Sequence, residues 1–200
     1  MKTLIVVGST GVIGKEIVKL LRSDYNIIEI NRHSGDYQLD IQNAEAVEEA
    51  FRKIGSFDAL ISAGGYGKWG SLEEHSLQDF HDGLNSKLMG QVNLFMIGRK
   101  YARPDAVFLL TTGVLAHRHR VGSLSLGMIN MALEYFAQGV ALELTGDIKI
   151  NIVSPEFTTE TLAQMGEDTS TGIPAREAAL LYKRALEEGK TGEIYKGWKE

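Results

Sequence analysis

Three glycines at a spacing of three are the residues of this chain best suited to hold a phosphate. They lie in Gly8-Ser9-Thr10-Gly11-Val12-Ile13-Gly14, with an apolar run just before and a helical pattern just after. Gly8 permits a tight turn. Gly11 removes the Cβ that would keep backbone N–H groups from a phosphate, and Gly14 lets a helix pack closely on a strand. A pyrophosphate then rests on the positive end of that helix, so all seven residues are candidate dinucleotide contacts. A P-loop is excluded, because Glu16 follows Gly14-Lys15 where Ser or Thr is required, and Ser9 stands where the first glycine should be.

The next apolar run ends Glu29-Ile30-Asn31-Arg32-His33-Ser34. An acidic residue at such a strand end holds the adenosine ribose hydroxyls, whereas arginine suits an added 2′-phosphate. Asn31 takes the acidic position, Arg32 follows it, and His33 and Ser34 are further phosphate donors. The expected cofactor is NADP(H) in preference to NAD(H). Glu29 is the alternative ribose ligand, that of an NAD enzyme, if the strand ends earlier.

Positioning these groups requires regular elements, and short apolar runs alternate with longer helical patterns along the chain. Residues 4–7, 27–30, 59–61, 107–110 and 148–153 read as strands, and their near-continuous Ile, Val and Leu content suits a parallel sheet buried on both faces. Helices are expected near 12–22, 43–54, 77–101, 122–145 and 174–188, with a short last strand near 193–195. Ser76 and Asp79 form a capping-box-like start to the third helix, and Pro174 and Gly189 bracket the last. This alternation predicts an α/β chain with a Rossmann fold: a doubly wound, mostly parallel sheet with helices on both faces, in one domain over residues 1–200. Residues 154–173 are the longest stretch without a clear element, which suits a lid, a binding loop or a short helix.

Together these features resemble the short-chain dehydrogenase/reductase family over essentially the whole chain. Leu39-Asp40-Ile41 resembles the family's adenine-contacting Asp segment, and Ser62-Ala63-Gly64-Gly65 its Asn-Ala-Gly motif with Ser for Asn. Leu84-Asn85-Ser86-Lys87 resembles the segment that carries its active-site Asn. Ser154-Pro155-Glu156 resembles the Pro-Gly segment beside the nicotinamide, with Glu for Gly. The resemblance implies a nicotinamide-dependent oxidoreductase. It adds Asp40, Ile41, Ser62, Ala63, Gly64 and Pro155 to the expected cofactor contacts. It also makes Asn85 and Thr112, the latter standing for the family's Ser, the groups that orient substrate or water.

The proton chemistry departs from the family, which pairs a Tyr with a Lys one helical turn later. Counting forward from Thr112 puts those positions at Ser125 and Ile129; counting back from Leu142-Glu143-Leu144 puts them at Leu126 and Asn130. Either way both residues are replaced, and Asn130 inherits the ribose-holding position. Tyr135 lies on the opposite helix face from Leu126, and Lys87, two residues past Asn85, is expected to point elsewhere. His117 and His119 remain, in the loop after the fifth strand on the ligand side of the sheet, where imidazole donates protons near neutral pH. The expected catalytic set is therefore Asn85, Thr112, His117 and His119. A solvated loop is the plainer reading of the His117-Arg118-His119-Arg120 run. His-x-His without a third ligand nearby argues against a metal. Tyr66, Lys68 and Trp69 suit the substrate side or an interface.

The 200 residues carry a net charge of −5, 44% hydrophobic residues and no cysteine. That charge argues against nucleic acid or an acidic membrane surface as partner, and the missing cysteine excludes disulfides and thiolate chemistry. No stretch approaches the ~20 apolar residues of a membrane span, and the first apolar run is too short for a signal peptide, so a cytoplasmic protein is expected. The helix near 122–145 is apolar nearly all round. It is expected to bury one face on the sheet and the other against a second subunit, in a homodimer or tetramer. The leading reading is an NADP(H)-dependent oxidoreductase of a small carbonyl or alcohol with a nonstandard proton donor. A catalytically silent NADP(H)-binding redox sensor is the alternative.

Overall fold

The computed structural model describes residues 1–198. Among them, strands β1 (Lys2–Val7), β2 (Tyr25–Asn31), β3 (Tyr37–Gln38), β4 (Phe57–Ser62), β5 (Ala102–Thr111), β6 (Lys149–Ser154) and β7 (Ile194–Lys196) form one sheet. The order is β3-β2-β1-β4-β5-β6-β7, with every neighbouring pair parallel. Parallel neighbours need crossovers, and the helices supply them: α1 (Val12–Leu21), α2 (Ala44–Ile54), α3 (Leu77–Gly83), α4 (Gly90–Gly98), α5 (Leu124–Glu143), α6 (Thr159–Met165) and α7 (Ala175–Glu187). Successive strand residues face opposite sides of the sheet. Ile5, Val7, Leu60 and Phe108 pack with Val47, Phe51, Leu94, Phe95, Ile129 and Leu133 of α2, α4 and α5. Leu4, Val6, Ile61 and Leu109 pack with Ile17, Val18, Ala179 and Tyr182 of α1 and α7. The chain is thus a doubly wound α/β Rossmann fold. β1 lies between β2 and β4, so the winding reverses there and leaves a crevice at the C-terminal strand ends.

Local departures from the expected boundaries have physical reasons. β2 runs on to Asn31, which places Glu29 inside the strand, where it pairs with Arg22 at 3.2 Å instead of reaching the crevice. The single helix expected at 77–101 is α3 and α4 joined by a π-helical segment (Leu84–Met89). Ser76 caps α3 with a full capping box to Asp79. Residues 154–173 contain α6, capped by the Thr158 hydroxyl; seven residues with one buried apolar side chain, Leu162, leave little periodicity to detect. α5 is not buried all round by its own chain. Ser125, Ile129, Asn130, Leu133, Glu134 and Ala137 face inward, while Leu124, Met128, Met131, Tyr135 and Leu142 form an exposed stripe, Tyr135 at 82%.

Candidate active site

The glycine turn follows from backbone sterics. Gly8 has φ +81°, and a Cβ there would lie 2.9 Å from the Ala63 carbonyl carbon. A Cβ on Gly14 would stand 2.1 Å from the Gly8 oxygen, so only glycine lets α1 start this close to β1. Asn31 braces the turn. Its Nδ2 donates to Ser9 Oγ at 2.8 Å and its Oδ1 accepts from the Thr10 N–H at 3.3 Å. Beside the turn opens a cavity of about 320 Å³ lined by Gly8, Thr10, Gly11, Asn31, Arg32, Asp40, Ile41, Ala63, Gly64 and Tyr66, among others. Arg32 donates to Asp40 Oδ2 at 2.6 Å across its rim, and Asn93 holds the Ile41 carbonyl at 3.0 Å. Ser9 and Gly14 are buried under the turn, and Ser62 is buried in β4. Val12, His33 and Ser34 lie outside both this cavity and the next.

A second cavity of about 340 Å³ lies beside the first, and Gly65 lines both. Ile13, Lys87, Thr112, Leu126, Asn130, Pro155, Glu156, Thr158 and Thr161 line it. Thr112 Oγ1 donates to Glu134 Oε1 at 3.0 Å, and the Ser154 hydroxyl donates to the same oxygen at 3.4 Å. His117 Nε2 contacts Glu134 Oε2 at 2.8 Å. Asn130 Nδ2 donates to the Gly113 carbonyl at 3.4 Å, while its Oδ1 is buried without a partner. Leu126 and Asn130 therefore face the cavity at the two positions reached by counting back from 142–144. Ser125, the other candidate, is buried where a Cβ on Gly83 would meet its Oγ at 3.1 Å.

Three expected catalytic residues are placed elsewhere. Asn85 is exposed and lines neither cavity. His117 is bound to Glu134 behind Thr112 and does not line the cavity, and His119 lines a separate pocket with Leu72, Leu124 and Met131. The loop after β5 forms a short turn (Val114–Ala116), which puts Leu115 rather than a histidine at the wall. The expectation that Lys87 points away from the site is overturned: Lys87 lines the crevice and Asn85, two residues earlier, does not. Burial pushes the Lys87 amine down to about 8. No periodicity marks this residue, because the π-helical segment resets the helix faces around it. Of the loop after β4, Tyr66 lines the first cavity, Lys68 pairs with Asp79 at 2.9 Å, and Trp69 packs edge-on against Phe157.

Comparison with known proteins agrees with this geometry. A family model described as enoyl-(acyl carrier protein) reductase matches residues 15–195. Among solved structures, the protein lin1944 from Listeria innocua is similar with a TM-score of 0.95 and 28% identity, over 99% of this chain and 100% of that one. A small-chain dehydrogenase in complex with NADPH is similar with a TM-score of 0.85 and 25% identity, over 98% of this chain and 95% of that one. The 2,3-dihydro-2,3-dihydroxybenzoate dehydrogenase of Escherichia coli (strain K12) is 29% identical over 121 residues, 58% of this chain and 48% of its own length. The chain spans half or less of the length of the curated relatives it matches. Among the described residues no helix is long and apolar enough to cross a membrane.

Proposed function

This chain belongs to the short-chain dehydrogenase/reductase family, and we propose that it is an NADP(H)-dependent oxidoreductase of a carbonyl or alcohol with a proton donor other than the family's tyrosine. The observation that carries the reading is the adjacency of the two cavities, which share Gly65 and reach from the glycine turn to Thr112 and Asn130. The residues fit a dinucleotide. The turn offers backbone without side chains in the way, and Arg32 stands ready for a 2′-phosphate once it leaves Asp40. The buried, unpartnered Asn130 Oδ1 awaits a hydroxyl donor such as the nicotinamide ribose. When bound in reduced form, the nicotinamide supplies two electrons and a hydrogen to a carbonyl carbon. Thr112 donates its only hydroxyl proton to Glu134, so its oxygen accepts a hydrogen bond from the O–H of an alcohol at the cavity wall.

The exposed α5 stripe supports a second copy of the chain as partner, in a cytoplasmic homo-oligomer. Mixing the purified protein with NADPH and a panel of aldehydes and ketones, and following the loss of NADPH absorbance, tests the activity. Turnover with some member is expected. Tight NADPH binding with no turnover anywhere would favour the sensor reading, which Leu126 and Asn130 on the cavity wall support.

A further inference from the structure

Lys87 shares the reacting-end cavity with Thr112, Leu126 and Asn130, and its Nζ donates to the Thr112 carbonyl at 3.4 Å. Two features hold it there. Gln91, one turn further on and fully buried, receives the Thr111 N–H at 2.8 Å and donates to the Thr111 carbonyl at 3.0 Å, which clamps this helix face to the end of β5. Gly65, at φ +123°, lies so close that a Cβ there would be 2.8 Å from Lys87 Cα. The lysine stem is wedged between Gly65 and the residue before Gly113.

No other group of the cavity is a free acid: the Thr112 hydroxyl donates to Glu134, and the weakly acidic Thr158 and Thr161 hydroxyls bond each other at 2.8 Å. Leu126 has no acidic proton, and Asn130 is a neutral amide. Glu156 is held by Arg118 at 2.7 Å and by the Phe157 N–H at 3.0 Å. Glu134, behind Thr112, is occupied by His117, Thr112 and Ser154. We propose that the Lys87 ammonium is the proton donor of this site, delivering its proton to the carbonyl oxygen beside Thr112; the proposal rests on the reductase reading above. In that step the carbonyl carbon gains a C–H bond with two electrons from the reduced nicotinamide, and the C=O π pair moves to oxygen. The Lys87 N–H bond breaks as the O–H bond of the alcohol forms, the dinucleotide is left oxidised, and solvent returns a proton to the amine. Desolvation alone lowers this amine to about 8, close to the pH at which a general acid works best.

Two measurements decide it. Reductive methylation with 13C-formaldehyde, followed by NMR across pH and assigned with Lys87→Met, reads the amine without any turnover. Lys87 should titrate near pH 8, below the surface lysines, and lose reactivity when NADPH is bound. In the carbonyl panel, Lys87→Met should lower kcat by ~10²–10⁴-fold while NADPH affinity changes by less than about threefold. Added methylammonium should restore part of the turnover of Lys87→Ala, which a merely structural lysine would not allow. Titration together with the surface lysines, a wild-type kcat in Lys87→Met, or lost NADPH affinity in place of lost kcat would each overturn the donor role. A wild type that reduces no carbonyl overturns the reductase reading as well, and the methylation result tells the two failures apart.

Discussion

At the adenosine end of the crevice, shape comes from the backbone: Gly8 at φ +81°, a Gly14 that admits no Cβ, and Asn31 tying Ser9 and Thr10 to β2. At the reacting end, shape comes from side chains that converge from distant parts of the chain: Lys87 from the π-helical segment, Thr112 from the end of β5, Asn130 and Glu134 from α5. At the first end, Gly8 and Gly14 leave no room for a side chain. The second is assembled from replaceable parts. The contrast separates a crevice wall fixed by glycine backbone from one on which Leu126 and Asn130 stand as exchangeable side chains.

The largest effect should come from a single methyl at the backbone-built end. Gly14→Ala puts a Cβ about 2.1 Å from the Gly8 oxygen, and forcing α1 off β1 should cost about 3 kcal/mol or more. For a chain of this size that lowers Tm by roughly 6–12 °C. Gly139→Ala is the control, because nothing lies within 4 Å of a Cβ there in α5, and Ala in a helix should stabilise by about 0.5–1 kcal/mol. Equal melting of the two variants would erase the contrast.

The side-chain-built end should give the next largest loss through Glu134. Glu134→Leu removes the acceptor of the Thr112 and Ser154 hydroxyls, both buried, and orphaned buried groups cost about 1–3 kcal/mol each. A loss of about 2–3 kcal/mol in denaturant unfolding is expected, with a weakened kcat from a free-turning Thr112. An unchanged midpoint would mean that water replaces the carboxylate and that this end is looser than its hydrogen bonds suggest.

Back at the adenosine end, Arg32→Ala should remove most of any preference for NADPH over NADH. A charge-assisted hydrogen bond contributes about 1.5–3 kcal/mol, and the lower figure applies because Arg32 must first leave Asp40 on an exposed rim. Isothermal titration with both dinucleotides checks it. Equal wild-type affinities would remove Arg32 from the cofactor site.

What the sequence made legible follows the same division. A strand–glycine–helix run has a local cause, so Gly8, Gly11, Gly14 and a doubly wound parallel sheet could be read from spacing. Asn31 was placed at the right strand end, yet its bracing of Ser9 needed the fold. Lys87 was misjudged because helix arithmetic from Asn85 gives the angle between the two residues without saying which one faces inward; the π-helical segment and Gln91 decide that. The histidines fitted a loop on the ligand side, but the turn at 114–116 carries His117 behind the wall to Glu134. Convergence across long stretches of chain leaves no periodic trace.

The smallest effect tests the reacting end by stability alone. Burial lowers the Lys87 amine from 10.5 to about 8, so the folded state holds its proton less tightly than the unfolded chain. Below pH 8 both states are protonated, and the folded one carries a desolvated charge. Between pH 8 and 10.5 the unfolded chain binds more protons, so wild-type stability gains a rising contribution with pH in this window. At about 1.4 kcal/mol per pKa unit the penalty at neutral pH is at most about 3 kcal/mol, and water in the open cavity should reduce it to about 1 kcal/mol. Lys87→Met removes the charge, so it should be more stable than wild type by about that amount at pH 7. The advantage should fade as pH climbs through 8 toward 10.5. Denaturant midpoints of both proteins measured across that range give the difference directly. A variant less stable than wild type at pH 7, or a difference flat across pH, would mean that Lys87 meets an anionic partner or bulk water, and that burial does not set its charge at the reacting end.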